Sequence, residues 1–176
     1  SRGLGDVYKR QVEDTTNPKT VYGATNMLAE QLLLSSGLPG KILRVSAIMG
    51  RSGGFFQWIN GKILESTPVD LYSNSYFSPT SIGRVCEFVR EYANKNLTQK
   101  NLEEDMTISH LSDGYRMSRY EFGCILANKI GVNSNLMSSV KFEIGDSFYQ
   151  QDLSLLPDGM NDFLSSYNWN EMENIF

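Results

Sequence analysis

The stretch YGATNMLAEQLLLSSGLPGKILRVSAIMG, residues 22–50, decides how this chain folds. Its first half, Tyr22 to Ser36, consists mostly of helix formers: Ala24, Met27, Leu28, Ala29, Glu30, Gln31 and Leu32 to Leu34. Gly37 and the Pro39-Gly40 pair then end the helix and turn the chain. Lys41-Ile-Leu-Arg-Val-Ser-Ala-Ile48 follows, a short and mostly apolar run bounded by Gly50 and Gly53-Gly54. Its length and flanks predict a buried strand over Lys41–Ile48. A helix that turns directly into such a strand belongs in a parallel α/β sheet.

Outward from this unit the same alternation continues. Phe55 to Glu65 reads as a short helix carrying Phe55, Phe56, Trp58, Ile59, Ile63 and Leu64, and Val69 to Tyr72 as a short strand. Ser78-Pro79-Thr80 has the form of a helix start, with Ser78 as N-cap and Pro79 in the first turn, where its missing N–H costs nothing. Ile82, Val85, Cys86, Val89 and Tyr92 then recur at helical spacing and give that helix one apolar face. Met106 to Leu111 reads as another strand. Ser118-Arg-Tyr-Glu121 matches a capping box ahead of Phe122, Ile125, Leu126 and Ile130, and Gly131 stops that helix. The tail from Lys141 is polar and aromatic with weak periodicity.

Composition excludes several classes. The 176 residues, 40% hydrophobic and 20% charged, suit one globular unit with a real core. The formal net charge is −4, and no segment gathers Lys and Arg, which speaks against a nucleic-acid or anionic-membrane surface. No apolar run approaches the ~18 residues a spanning helix needs. Cys86 and Cys124 both fall in helical patterns and read as reduced, packed thiols. With a single histidine, His110, a Cys/His metal site lacks material. The expected compartment is the cytoplasm. Ser1 to Gln11 show neither helix nor strand period and read as a non-native leader, leaving residues 12–176 as a single unit. Gly3, Gly5 and Tyr8 do not complete a GxGxxG pattern, and no apolar strand precedes them.

Asn17-Pro-Lys-Thr-Val-Tyr22-Gly-Ala-Thr-Asn26-Met-Leu-Ala-Glu30 resembles the extended short-chain dehydrogenases, most closely the dTDP-4-dehydrorhamnose reductase-like group, where this segment has the form nP…YG.tK..gE. Ile42-Leu-Arg44-Val-Ser46-Ala-Ile-Met-Gly50 is similar to the family's next landmark, ilR.s.vyG. Ser78-Pro79-Thr80 and Met117-Ser-Arg-Tyr-Glu-Phe122 fall where the family carries a Pro-Thr pair and the helix start of its substrate-binding lobe. The resemblance covers about residues 12 to 140. It implies the C-terminal part of a Rossmann-type parallel sheet with a small, mostly helical substrate-binding lobe. It also implies an NAD(P)-dependent reductase or epimerase acting on a nucleotide-linked sugar, and a homodimer through the Tyr22 helix.

The family's chemistry assigns the residues. Tyr22 takes the position of the proton donor or acceptor at the carbinol oxygen, while hydride moves to or from nicotinamide. A lysine one turn later contacts the nicotinamide ribose and stabilises the phenolate; here that position is Asn26, which offers hydrogen bonds without charge. The resemblance thus makes Tyr22 the catalytic residue, and Tyr22, Asn26, Ser46, Ala47 and Ile48 the cofactor-binding set for NAD or NADP. Asn26 equally suits a non-catalytic nucleotide-sugar or dinucleotide-binding relative, or a regulatory one. The GxxGxxG loop that seats cofactor phosphates is not found in the chain. The Gly50–Gly54 loop follows the later strand and reads as freeing the backbone on the substrate side. Arg44 reads as a structural ion-pair residue or an anion ligand. Phe55, Phe56 and Trp58 read as core residues or as a platform for a nucleotide base. His110 reads as an ordinary strand-end residue.

Overall fold

The computed structural model describes residue 12, residues 16–18, 20–50, 54–98, 105–141, residue 143 and residues 152–159. The proposed leader, the centre of the Gly50–Gly54 loop and most of the tail after Lys141 lie outside the described residues.

The chain opens with helix α1 (Val21–Leu34) and strand β1 (Gly40–Val45), as the local sequence requires. Between them Gly37 takes a left-handed φ of 68°, which a residue without Cβ adopts at no steric cost. β1 pairs in parallel with β6 (Met106–Leu111), Arg44 standing opposite His110. This is the helix–turn–parallel-strand unit expected from residues 22–50. The strand expected over Lys41–Ile48 is, however, two strands. The chain breaks at Ser46 and resumes as β2 (Ala47–Met49), which pairs in parallel with β5 (Pro79–Ser81). At the break the Ser46 hydroxyl donates to Leu153 O at 2.5 Å and accepts from Ser78 N at 3.2 Å, so the chain is tied there to segments outside the β1–β6 pair.

The remaining elements form a lobe. Helix α2 (Gly54–Leu64) and strand β3 (Val69–Tyr72) fall where the sequence places them. Strand β4 (Tyr76–Phe77) pairs antiparallel with β7 (Met117–Ser118) and parallel with β9 (Asp152–Leu153). Helix α4 (Arg119–Ile130) starts at the capping box read from sequence: Glu121 N donates to Ser118 Oγ at 3.1 Å, and Ser118 N donates to Glu121 Oε2 at 2.6 Å. Gly131, with φ 79°, closes the helix. A short 3-10 turn at Ser134–Leu136 leads to β8 (Met137–Val140), parallel to β3.

The expected helix start at Ser78-Pro79-Thr80 does not occur. Pro79–Ser81 is strand, and helix α3 (Ile82–Thr98) begins one residue later. Ser78 does not cap it, because it stands four residues before the helix and is bonded to Leu155. Ser81 takes that role, its hydroxyl accepting from Arg84 N at 3.1 Å.

The core lies in the lobe. Ile59 and Ile63 of α2, Phe77 of β4, Phe122 and Leu126 of α4, Leu71 of β3 and Met137 of β8 are all buried in one cluster. Gly123 makes the α4–β3 approach possible: a Cβ there would sit 2.3 Å from Leu71 Cδ1 and 3.0 Å from Ile59 Cδ1. Helix α1, by contrast, has no buried residue, and Val21, Leu28 and Leu32 on it are exposed. Both described cysteines are free; Cys124 is half-buried, but Cys86 is exposed, so the packed reading fails for that residue. Its helix has a solvent face there.

Candidate active site

The first turn of α1 is set by residues before it. Thr20 is the N-cap, its hydroxyl accepting from Gly23 N at 3.0 Å. Gly23 allows the preceding chain to lie close, since a Cβ there would approach Pro18 Cβ at 3.1 Å and Thr20 Oγ1 at 3.3 Å. The Asn-Pro and Tyr-Gly pairs are therefore two sides of one contact. Tyr22 is the second residue of the helix and is 78% exposed; Asn26, four residues on and hence on the same face, is also exposed. In this chain they stand on an open surface, not in a closed cleft.

Glu30 lies one further turn along the same row, where the helix meets the sheet. Its carboxylate accepts from Arg44 Nε at 2.9 and 3.2 Å and from Arg44 Nη2 at 2.7 Å, with both side chains less than one-fifth exposed. Arg44 is thus the structural ion-pair residue. Its Nη1 also comes within 3.4 Å of His110 Nε2; His110 is the next-to-last residue of β6 and is buried. The pair fixes the rotation of α1 over β1. Since α1 turns back directly into β1, the two run antiparallel. Tyr22 and Asn26 therefore stand at the carboxyl end of β1, the end at which open parallel sheets bind ligands.

Ser46, Ala47 and Ile48 occupy that same end of the strand. The Ser46 hydroxyl is already engaged by Leu153 and Ser78, Ala47 packs partly against the core, and Ile48 is 49% exposed. A ligand at this edge would meet the Ile48 side chain and the backbone more readily than the Ser46 hydroxyl.

The aromatic residues of α2 divide. Phe56 is buried, and Phe55 packs against Phe77 and Phe122 at ring separations of 6.2 and 5.8 Å, as core residues do. Trp58 is 45% exposed and belongs to the surface. The sequence reading missed Arg119, whose guanidinium lies 4.5 Å over Phe55 and 4.3 Å over Phe77, and Arg116, 3.7 Å over Tyr76. It also missed Asp152, which pairs with Arg116 at 2.8 Å. The Asp152–Ser154 spacing, suited to a local Asp-to-amide turn, was the available signal. On α4 the Tyr120 phenol is pushed above its ordinary range by its hydrogen bond to the Cys124 thiol and by that group's charge. Among the described residues no cluster of His, Cys, Asp or Glu could hold a metal ion, and no helix is long and apolar enough to cross a membrane.

Comparison with known proteins adds the following. The RmlD substrate binding domain profile matches residues 5–145. The spore coat polysaccharide biosynthesis protein SpsK of Bacillus subtilis (strain 168) is 26% identical over 145 residues, 82% of this chain and 48% of that protein. The methionine adenosyltransferase 2 subunit beta of Bos taurus is 23% identical over 136 residues, 70% of this chain and 37% of that one. Among solved structures, the dTDP-4-dehydrorhamnose reductase of Bacillus anthracis str. Ames in complex with NADP superposes with a TM-score of 0.72 at 19% identity, over 91% of this chain and 56% of that chain. The chain thus spans about half the length, or less, of the curated relatives it matches.

Proposed function

This chain belongs to the RmlD substrate binding domain family, and we propose on that footing that it serves an NAD(P)-dependent reductase or epimerase acting on a nucleotide-linked sugar. One observation carries the reading. Tyr22 and Asn26 share a face of α1 that the Glu30–Arg44 pair locks at the carboxyl end of a parallel strand. In this reading Tyr22 is the acid/base at the sugar oxygen, and Asn26 hydrogen-bonds the nicotinamide ribose. Ser46, Ala47 and Ile48 flank the nicotinamide, chiefly through backbone and the Ile48 side chain. The cofactor supplies the hydride; the chain's own groups orient the sugar and exchange its proton. The NADP held by the Bacillus anthracis structure supports the cofactor class. The cytoplasm is the compartment this reading implies, and the exposed apolar side of α1 supports a homodimer.

Asn26 sustains a second reading, a non-catalytic relative that binds a dinucleotide or nucleotide sugar, or a regulatory one. The similarity to a subunit named beta of a methionine adenosyltransferase accords with it. The experiment is an assay of NADPH oxidation with a dTDP-linked 4-keto sugar, on a protein that carries this chain at its relatives' full length. The catalytic reading expects turnover that Tyr22→Phe removes. Dinucleotide binding without turnover would give the second reading the field.

A further inference from the structure

Residues 152–158 bond to both parts of the fold. At the lobe end, Asp152 Oδ2 accepts from Arg116 Nε at 2.9 Å and pairs with Nη2 at 2.8 Å, while Oδ1 accepts from Ser154 N at 2.9 Å and Ser154 Oγ at 2.5 Å. Arg116 in turn covers the Tyr76 ring of β4. At the other end the partners belong to the strand edge. Leu153 O accepts from the Ser46 hydroxyl, and Leu155 O accepts from the Ser78 and Ser112 hydroxyls at 3.2 and 3.0 Å. Leu155 N donates to Ser78 Oγ at 3.0 Å. His110 N donates to Asp158 Oδ1 at 3.0 Å. Ser154 and Leu156 are buried between these anchors.

We infer that the Asp152–Asp158 segment is a latch coupling the lobe to the carboxyl edge of β1 and β6, with Asp152 as its positioning residue. A two-residue strand pair such as β4–β9 does not hold a segment by itself. The segment's place therefore depends on its side-chain bonds, of which those to the Asp152 carboxylate are charge-assisted and the stronger. Because Ser46 and Ser78 bond both to each other and to the latch, loosening one end frees groups at the other. The latch thereby sets the gap between Tyr76 and Arg116 in the lobe and the Ser46–Ile48 edge. That last consequence rests on the proposed function; the coupling does not.

Residue-resolved amide exchange on the whole chain tests the coupling. Asp152→Asn is expected to speed exchange at the His110 and Ser78 amides by at least about tenfold, since loss of a charged hydrogen-bond partner opens a segment by a factor of that order. Asp152→Glu, which keeps the charge, should restore most of the protection. The effect must also run backwards: Asp158→Asn should speed exchange at the Tyr76 and Phe77 amides. If Asp152→Asn fails to fold, Ser154→Ala, which removes one bond to the same carboxylate, serves in its place and should act on His110 in the same direction. Faster exchange confined to residues 152–155, with His110 and Ser78 unchanged, would overturn the latch. So would an Asp158→Asn effect that stops at His110.

Discussion

Glu30 of α1 and Arg44 of β1 are joined by three charged hydrogen bonds between 2.7 and 3.2 Å, and that junction sets where Tyr22 stands. Tyr22 lies eight residues before Glu30, about 12 Å along the helix at 1.5 Å per residue. A rotation of α1 about its axis would change the direction in which the Tyr22 phenol faces.

Removing one partner leaves the other charge poorly satisfied in a site less than one-fifth exposed. Glu30→Gln is therefore expected to lower stability by about 1–3 kcal/mol. Urea denaturation of the two proteins checks it. An unchanged midpoint would mean that α1 is held by other contacts.

Gly123 decides how closely α4 lies on β3. An alanine in a helix interior normally gains about 1 kcal/mol over glycine. Here its Cβ would press on the ends of the buried Leu71 and Ile59 side chains, and overpacking of a core costs about 1–3 kcal/mol. The clash should win, so Gly123→Ala is expected to lower the thermal midpoint. A rise would show that the lobe core yields easily.

One exposed side of α1 carries Val21, Leu28 and Leu32. Such a surface is expected to self-associate in water. Light scattering should show the mass rising with concentration, and Leu28→Glu with Leu32→Glu should suppress the rise. A monomer at all concentrations would remove this face as the dimer surface.

The elements legible in the sequence are those whose causes are local. The helix formers of α1, the Gly37 turn and the Ser118–Glu121 capping box each act within a few residues, and all three occur as read. Tyr22 and Asn26 were singled out by the family resemblance, not by local causes, and the partner of Arg44, Glu30, was not read from the sequence. What escaped depends on partners far along the chain. At the strand break the Ser46 hydroxyl donates to Leu153, 107 residues away. Ser78 fails as a cap because Leu155, 77 residues away, engages it. A tail without periodicity gives no sign that its carbonyls will end serine hydroxyls' search for acceptors.

In the proposed function Tyr22 exchanges the sugar's proton while Asn26 occupies the place of a cation. That assignment is tested most directly by the pH dependence of kcat for NADPH-driven reduction of a dTDP-linked 4-keto sugar, measured at the relatives' full length for the natural chain, Tyr22→Phe and Asn26→Lys. Tyr22→Phe should lose about 10²-fold or more of kcat, the usual worth of a positioned acid/base. Asn26→Lys should raise turnover near neutrality and move the profile to lower pH, because a cation one helical turn away stabilises the phenolate. Turnover that is unaffected by Tyr22→Phe, or a profile that Asn26→Lys leaves in place, would rule out Tyr22 as the acid/base.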